Sequence, residues 1–170
     1  MKDETSEFRA PSQPAEKAPL LVRIPPPLQF GAIYILGLVI HSWFPISIVP
    51  VGLKPGAHVV GMFLIAAGII IAVASFLLFV HRRTTVIPHG APARLIDVGP
   101  FLFSRNPMYL SLTMIYTGAA FWQVAIWPLI LLPIPIAIVN GVVIPFEERR
   151  LHSIFGNSYD EYCRRVRRWI

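Results

Sequence analysis

The sequence predicts an all-α fold: an integral membrane helical bundle of about four transmembrane helices, with a C-terminal amphipathic helix at the cytosolic interface. Three observations carry this expectation. Of 170 residues, 55% are hydrophobic and only 14% charged, against about 25% charged in soluble domains. The apolar residues gather into four runs, at 28–49, 57–80, 108–122 and 125–146, against the ~20 residues a helix needs to cross the hydrocarbon core. Lys and Arg fall between the runs with a bias that orients them.

Taken in order, residues 1–27 read as a flexible or extended cytosolic tail. Pro11, Pro14, Pro19 and Pro25 to Pro27 disfavour regular structure, and Asp3, Glu4, Glu7 and Glu16 exclude a signal peptide, whose start is basic and then apolar. The first run begins after the three prolines and ends near Pro50; the second stops at His81-Arg82-Arg83. Residues 28–80 are thus two transmembrane helices. The runs at 108–122 and 125–146 form a hairpin turning near Gln123, its first member short for a full crossing. Pro128, Pro133 and Pro135 each remove a backbone donor. In lipid such prolines usually face neighbouring helices or a cavity. Asn140 is the one strongly polar side chain deep in the last run, and two readings stand open for it: an interhelical hydrogen bond or a site residue. His41, among apolar residues, fits a bonded structural role. Tyr159, Tyr162, Val166 and Trp169 recur at three- and four-residue spacing, which predicts a helix with an aromatic stripe, anchored at the membrane interface with arginines toward the headgroups.

Basic residues lie in the tail (Lys2, Arg9, Lys17, Arg23), the central loop (Arg82, Arg83, Arg94, Arg105) and the C-terminal segment (Arg149, Arg150, Arg164, Arg165, Arg167, Arg168); the first short loop has only Lys54. Four spans with both termini and the central loop in the cytosol satisfy this bias, and the expected location is a bacterial inner (plasma) membrane. The net charge of +6 then speaks to topology and membrane lipids, not to nucleic acid.

Several site classes are absent from the sequence. There is no Gly-x-Gly dinucleotide fingerprint and no phosphate loop. The five histidines form no i, i+4 pair, and the single cysteine, Cys163, allows neither a disulfide nor a cysteine-rich zinc site, so no metal is expected. What remains is polar residues at helix ends. Pro107 suits a first helical turn and Asn106 its cap, leaving amides that can receive a carboxylate, with Arg105 beside them. Glu147 and Glu148, at the end of the last run, can bind an amino group or ribose hydroxyls, and Phe101, Phe103 and Tyr109 offer flat surfaces to an adenine ring. The plain alternatives stay open: Arg105 as a topological anchor, and the two acids as partners of Arg149 and Arg150.

The spacing of these residues is specific. Gly99, Phe101, Arg105, Asn106, Pro107 and Tyr109, followed by Glu147, Glu148, Leu151, Phe155, Gly156, Tyr159 and Tyr162, resemble the paired motifs of the isoprenylcysteine carboxyl methyltransferase family and its phospholipid methyltransferase relatives. The likeness runs from residue 84 to the end, so that 81–170 is identified as a methyltransferase core. It implies an S-adenosylmethionine-dependent membrane methyltransferase without a Rossmann domain. In that family the cofactor sits under the cytosolic loop and C-terminal helix, and a lipophilic substrate comes in from the bilayer. Carried over, the cofactor contacts fall on Arg94, Leu95 and Ile96 through backbone, and on Phe101, Asn106, Pro107, Met108, Tyr109 and Glu147, to which the reading of the residues adds Arg105 and Glu148. The family's usual His before the proline is Asn106 here, which removes any proton role. The position of a substrate-positioning Arg in the eukaryotic enzymes is Val143, which would leave a prenylcysteine carboxylate without its partner. The acceptor class is therefore a lipophilic small molecule, a lipid or an isoprenylcysteine-like compound. The competing expectations are an NADPH-dependent membrane reductase of the steroid-reductase type, with Arg82, Arg83 and Arg94 for the 2′-phosphate, and a non-catalytic membrane scaffold.

Overall fold

The computed structural model describes residues 19–46, 50–81 and 95–170. Among them all regular structure is helical, without strands. Most of the Pro-rich tail, the arginines at 82 and 83, and Arg94 lie outside the described residues. The tail is not extended throughout: α1 (Leu20–Arg23) forms one helical turn. The cause is Gln29, one turn into α2 (Pro26–Trp43), whose amide donates to the carbonyls of Leu21 at 2.7 Å and Ile24 at 2.8 Å.

The first apolar run stays helical only as far as Trp43. Phe44 precedes Pro45, and a residue before proline is pushed out of the helical region; Phe44 has φ −127° and ψ 73°. A 3₁₀ turn (Val51–Leu53) leads into α3 (Lys54–His81), 28 residues and about 42 Å long at helical rise. The helical hairpin expected beyond it is present. Its first arm is α4 (Pro107–Gln123). Its second is one continuous helical stretch built from α5 (Ile126–Leu131), α6 (Pro133–Ile138), a π turn (Val139–Val143) and α7 (Ile144–Phe155). The acids at 147 and 148 therefore lie within a helix that continues to Phe155, not at its end. Gly156, with φ +51°, breaks the chain direction before α8 (Asn157–Arg165).

Two stretches, Val51–His81 and Ile126–Phe155, are long and apolar enough to cross a membrane, with mean hydropathies of 2.9 and 2.4. Large apolar side chains along them, such as Phe63, Ile70 and Ile130, point outward. In water that would be a costly surface; against lipid tails it is neutral.

Helix packing depends on small residues, as expected where lipid removes the hydrophobic drive between helices. The α3–α4 pair is the most extensive contact. A Cβ on Gly61 would stand 2.6 Å from the Gly118 carbonyl oxygen, and one on Gly118 2.7 Å from that of Gly61. The backbones touch there because neither residue has a side chain. On the other side of α4, Tyr116 packs edge-on against Phe30 and Tyr34 of α2, and its hydroxyl donates to the Pro128 carbonyl at 2.9 Å. Pro128 and Pro135 are fully buried against neighbours, as the sequence implies, whereas Pro133 is exposed. His41 departs from expectation, its Nδ1 buried with no partner among the described residues.

Candidate functional site

The connecting segment reaches the site through a sharp turn. Gly99 takes φ +61°, a backbone conformation that favours glycine, and opens a 3₁₀ turn (Gly99–Leu102). That turn drops Phe101 into the interior, edge-on to Phe79 of α3 with ring centres 5.6 Å apart. Tyr162 of α8 fixes the turn from the other side, its buried hydroxyl donating to the Phe101 carbonyl at 2.8 Å. Burial pushes the phenols of Tyr159 and Tyr162 above their ordinary range, so both stay protonated donors. Leu95, Leu151 and Phe155 pack around these two rings, and Ile96 is buried nearby in sequence. Removing the hydroxyl with Tyr162→Phe strands a buried carbonyl, a cost of about 1–3 kcal/mol. We expect a lower melting temperature in detergent and faster amide exchange across 99–103; unchanged exchange there would show that the bond does not fix the turn.

Past the turn, three consecutive residues are held by the end of the chain. Ser104 is buried, accepts from the Asn106 amide at 3.1 Å and donates to the Arg168 carbonyl at 3.3 Å. The Arg105 amide donates to the Arg167 carbonyl at 2.9 Å. The Asn106 side-chain amide donates to the Arg168 carbonyl at 3.0 Å. Asn106 does sit at the start of α4, and its carbonyl receives the amides of Tyr109 and Leu110 at 3.1 Å. Its side chain makes no cap hydrogen bond, however, and is turned to the end of the chain, its amide nitrogen donating to the carbonyl of Arg168. Pro107 is fully buried and Met108 half-buried behind it.

One turn into α4 the two sequence motifs meet. The Tyr109 hydroxyl donates to Oε1 of Glu147 at 2.7 Å, across 38 residues of chain. Tyr109 is buried and packs with Phe30, Val139, Val143 and Ile144, so its ring is enclosed on the protein side. Glu148, on the same turn of α7, faces two cations: Arg105 Nη1 stands 3.4 Å from Oε1, and Arg168 bonds both carboxylate oxygens. The Arg105 guanidinium also contacts the Cys163 sulfur, while its Nε is buried with no partner among the described residues. Asn140, carried by the π turn, accepts from Trp169 Nε1 at 3.2 Å and Arg168 Nη1 at 3.5 Å.

Arg105, Asn106, Tyr109, Glu147 and Glu148 thus come together in one polar cluster. Phe101 is buried against α3 and Phe103 is 76% exposed, so the three aromatics are not a shared open platform. The predicted C-terminal stripe also changes. α8 ends at Arg165, and Val166 is extended with φ −122° and ψ 131°, so Val166 and Trp169 are not on its face. Tyr159 and Tyr162 point inward, at the connecting segment. Sequence reasoning did not pick out Ser104, Tyr162 as a turn clamp, or Arg168; Arg168 reads as one more topological arginine in a basic run. Among the described residues no group of His, Cys, Asp and Glu is placed to hold a metal. No curated protein and no solved structure matches the chain. The sequence profile of the phospholipid methyltransferase family does match, over residues 57–158, which takes in α3 from its second turn on, the connecting segment, the Tyr109–Glu147 contact and the start of α8. With more than half of its length inside that profile, the chain belongs to the phospholipid methyltransferase family, the group that includes isoprenylcysteine carboxyl methyltransferase-like proteins.

Proposed function

We propose that the protein is an S-adenosylmethionine-dependent methyltransferase that methylates a lipophilic acceptor at the cluster of Arg105, Asn106, Tyr109, Glu147 and Glu148. The observation that carries this reading is the 2.7 Å Tyr109–Glu147 hydrogen bond, which brings the two motif halves to one place in a chain of this family. The donor set fits the cofactor's chemistry. Arg105 and the Asn106 amide suit a carboxylate, Glu147 and Glu148 suit an ammonium or ribose hydroxyls, and the buried Nε of Arg105 is a donor with no acceptor among the described residues. Bound there, S-adenosylmethionine supplies an electrophilic methyl group on a sulfonium. The chain's own residues hold and orient; displacement at that carbon is in line, so positioning supplies much of the rate.

We place four spans in the membrane: α2, α3, α4 and the stretch from α5 into α7. The end of α3, the start of α4, and α7 with α8 then gather at the cytosolic face, where the arginines lie, and α8 rests at the interface. The acceptor comes in from the bilayer. Two measurements test the proposal. Calorimetry of the protein in nanodiscs should show S-adenosylhomocysteine binding, and methyl-labelled S-adenosylmethionine should pass label into a total lipid extract. Binding of NADPH with no response to S-adenosylhomocysteine would replace this reading with the reductase one, and binding of neither would leave a scaffold.

A further inference from the structure

We propose that residues 167–170 are a displaceable strap that occupies the ligand face of Arg105, Asn106 and Glu148, so that strap docking and ligand binding exclude one another. The inference rests on the nucleotide-like site proposed above and concerns what that site holds when empty of ligand.

The strap imitates a zwitterion. Its carbonyl oxygens, at Arg167 and Arg168, satisfy the Arg105 amide, the Ser104 hydroxyl and the Asn106 side chain. Those are the donors a carboxylate would use. Its guanidinium, on Arg168, takes both oxygens of Glu148, the acceptor an ammonium would use. An acceptor oxygen and a cation offered together to these groups are the chemistry of an amino-acid moiety. A carboxylate cannot reach the Asn106 amide, nor an ammonium Glu148, while the strap bonds them as it does here.

The strap is also built to leave. Val166 is 7% exposed in the tyrosine cluster and anchors its root. Beyond it the strap is held by hydrogen bonds, one ion pair and the packing of a partly buried Trp169 against the cluster around Tyr109. The Arg168 side chain is 35% exposed, so water reaches the ion pair and weakens it relative to a buried one. Asn140 is the latch, since its one oxygen accepts from both Arg168 and Trp169. The π turn that carries Asn140 is a distortion often found at functional positions.

Calorimetry with S-adenosylhomocysteine in nanodiscs tests this on the full chain, on Arg168→Ala and on Asn140→Leu. Asn140→Leu removes the latch without leaving Glu148 unpaired, so it remains informative if Arg168→Ala fails to fold. Each variant is expected to bind about tenfold more tightly than the unaltered chain, the equivalent of one lost competing charge-assisted contact. In the unaltered chain, amide exchange of residues 167–170 should speed up when S-adenosylhomocysteine is added. Binding that is unchanged or weaker in both variants, or exchange that slows on binding, overturns the strap while leaving the cofactor site standing. Absence of binding in all three proteins overturns both.

Discussion

Glu147→Gln is expected to weaken S-adenosylhomocysteine binding about 10- to 100-fold while the protein still folds. A charge-assisted hydrogen bond contributes about 1.5–3 kcal/mol, which converts to a loss of that size. Glutamine keeps a carbonyl oxygen where Glu147 Oε1 accepts from Tyr109, so the buried phenol retains its partner. What changes is the group offered to the ligand, where a carboxylate oxygen becomes an amide NH2. Glu147→Ala differs, because it strands the Tyr109 hydroxyl in an apolar surround of Phe30, Val143 and Ile144 and should lower the melting temperature as well as the affinity. Comparing the two separates recognition from stability. A glutamine variant with unaltered affinity in calorimetry would remove Glu147 from the cofactor site.

Gly118→Val is expected to cost about 3 kcal/mol or more, the upper end of what overpacking does. A Cβ there meets the Gly61 carbonyl oxygen at 2.7 Å and the Ile65 amide nitrogen at 2.9 Å. Both are helix backbone, so no side-chain rotation relieves the clash and α3 must move away from α4. Gly31→Val is the control. Nothing lies within 4 Å of a Cβ at that position, and a change there should stay within about 0.5 kcal/mol. Thermal unfolding in detergent reads both. Equal melting temperatures for the two variants would show that the α3–α4 contact does not hold the bundle together. The site shares this dependence, because α3 backs Phe101 and α4 carries Tyr109.

The sequence announced the bundle through its apolar runs and the site through two spaced motifs, and the pairing of Tyr109 with Glu147 follows that expectation. Boundaries were legible where proline sets them, as at Pro26 and Pro107. The end of α2 was missed because the apolar run continues past Trp43 although Pro45 does not permit the helix to do so. The tail of the chain was misread for a physical reason: Val166 and Trp169 keep helical spacing, but their segment is extended by bonds to residues some sixty positions earlier. Periodicity reports local preference and cannot register a competing tertiary partner. The same holds for Asn106, whose side chain is oriented by the Arg168 carbonyl and makes no cap hydrogen bond. Asn140 had two open readings, and its side chain bonds the strap beside the site.

The five-residue wide turn at Val139–Val143 has a consequence for the family's second motif. A uniform α-helix advances about 100° per residue, and a stretch of wider pitch accommodates an extra residue without adding a full step of rotation. Everything downstream is thereby re-aimed around the helix axis. Glu147 faces Tyr109, and Glu148 faces the arginines, only because this phase correction precedes them. The bearing of both carboxylates is set inside the hydrophobic stretch, several residues before the motif that contains them.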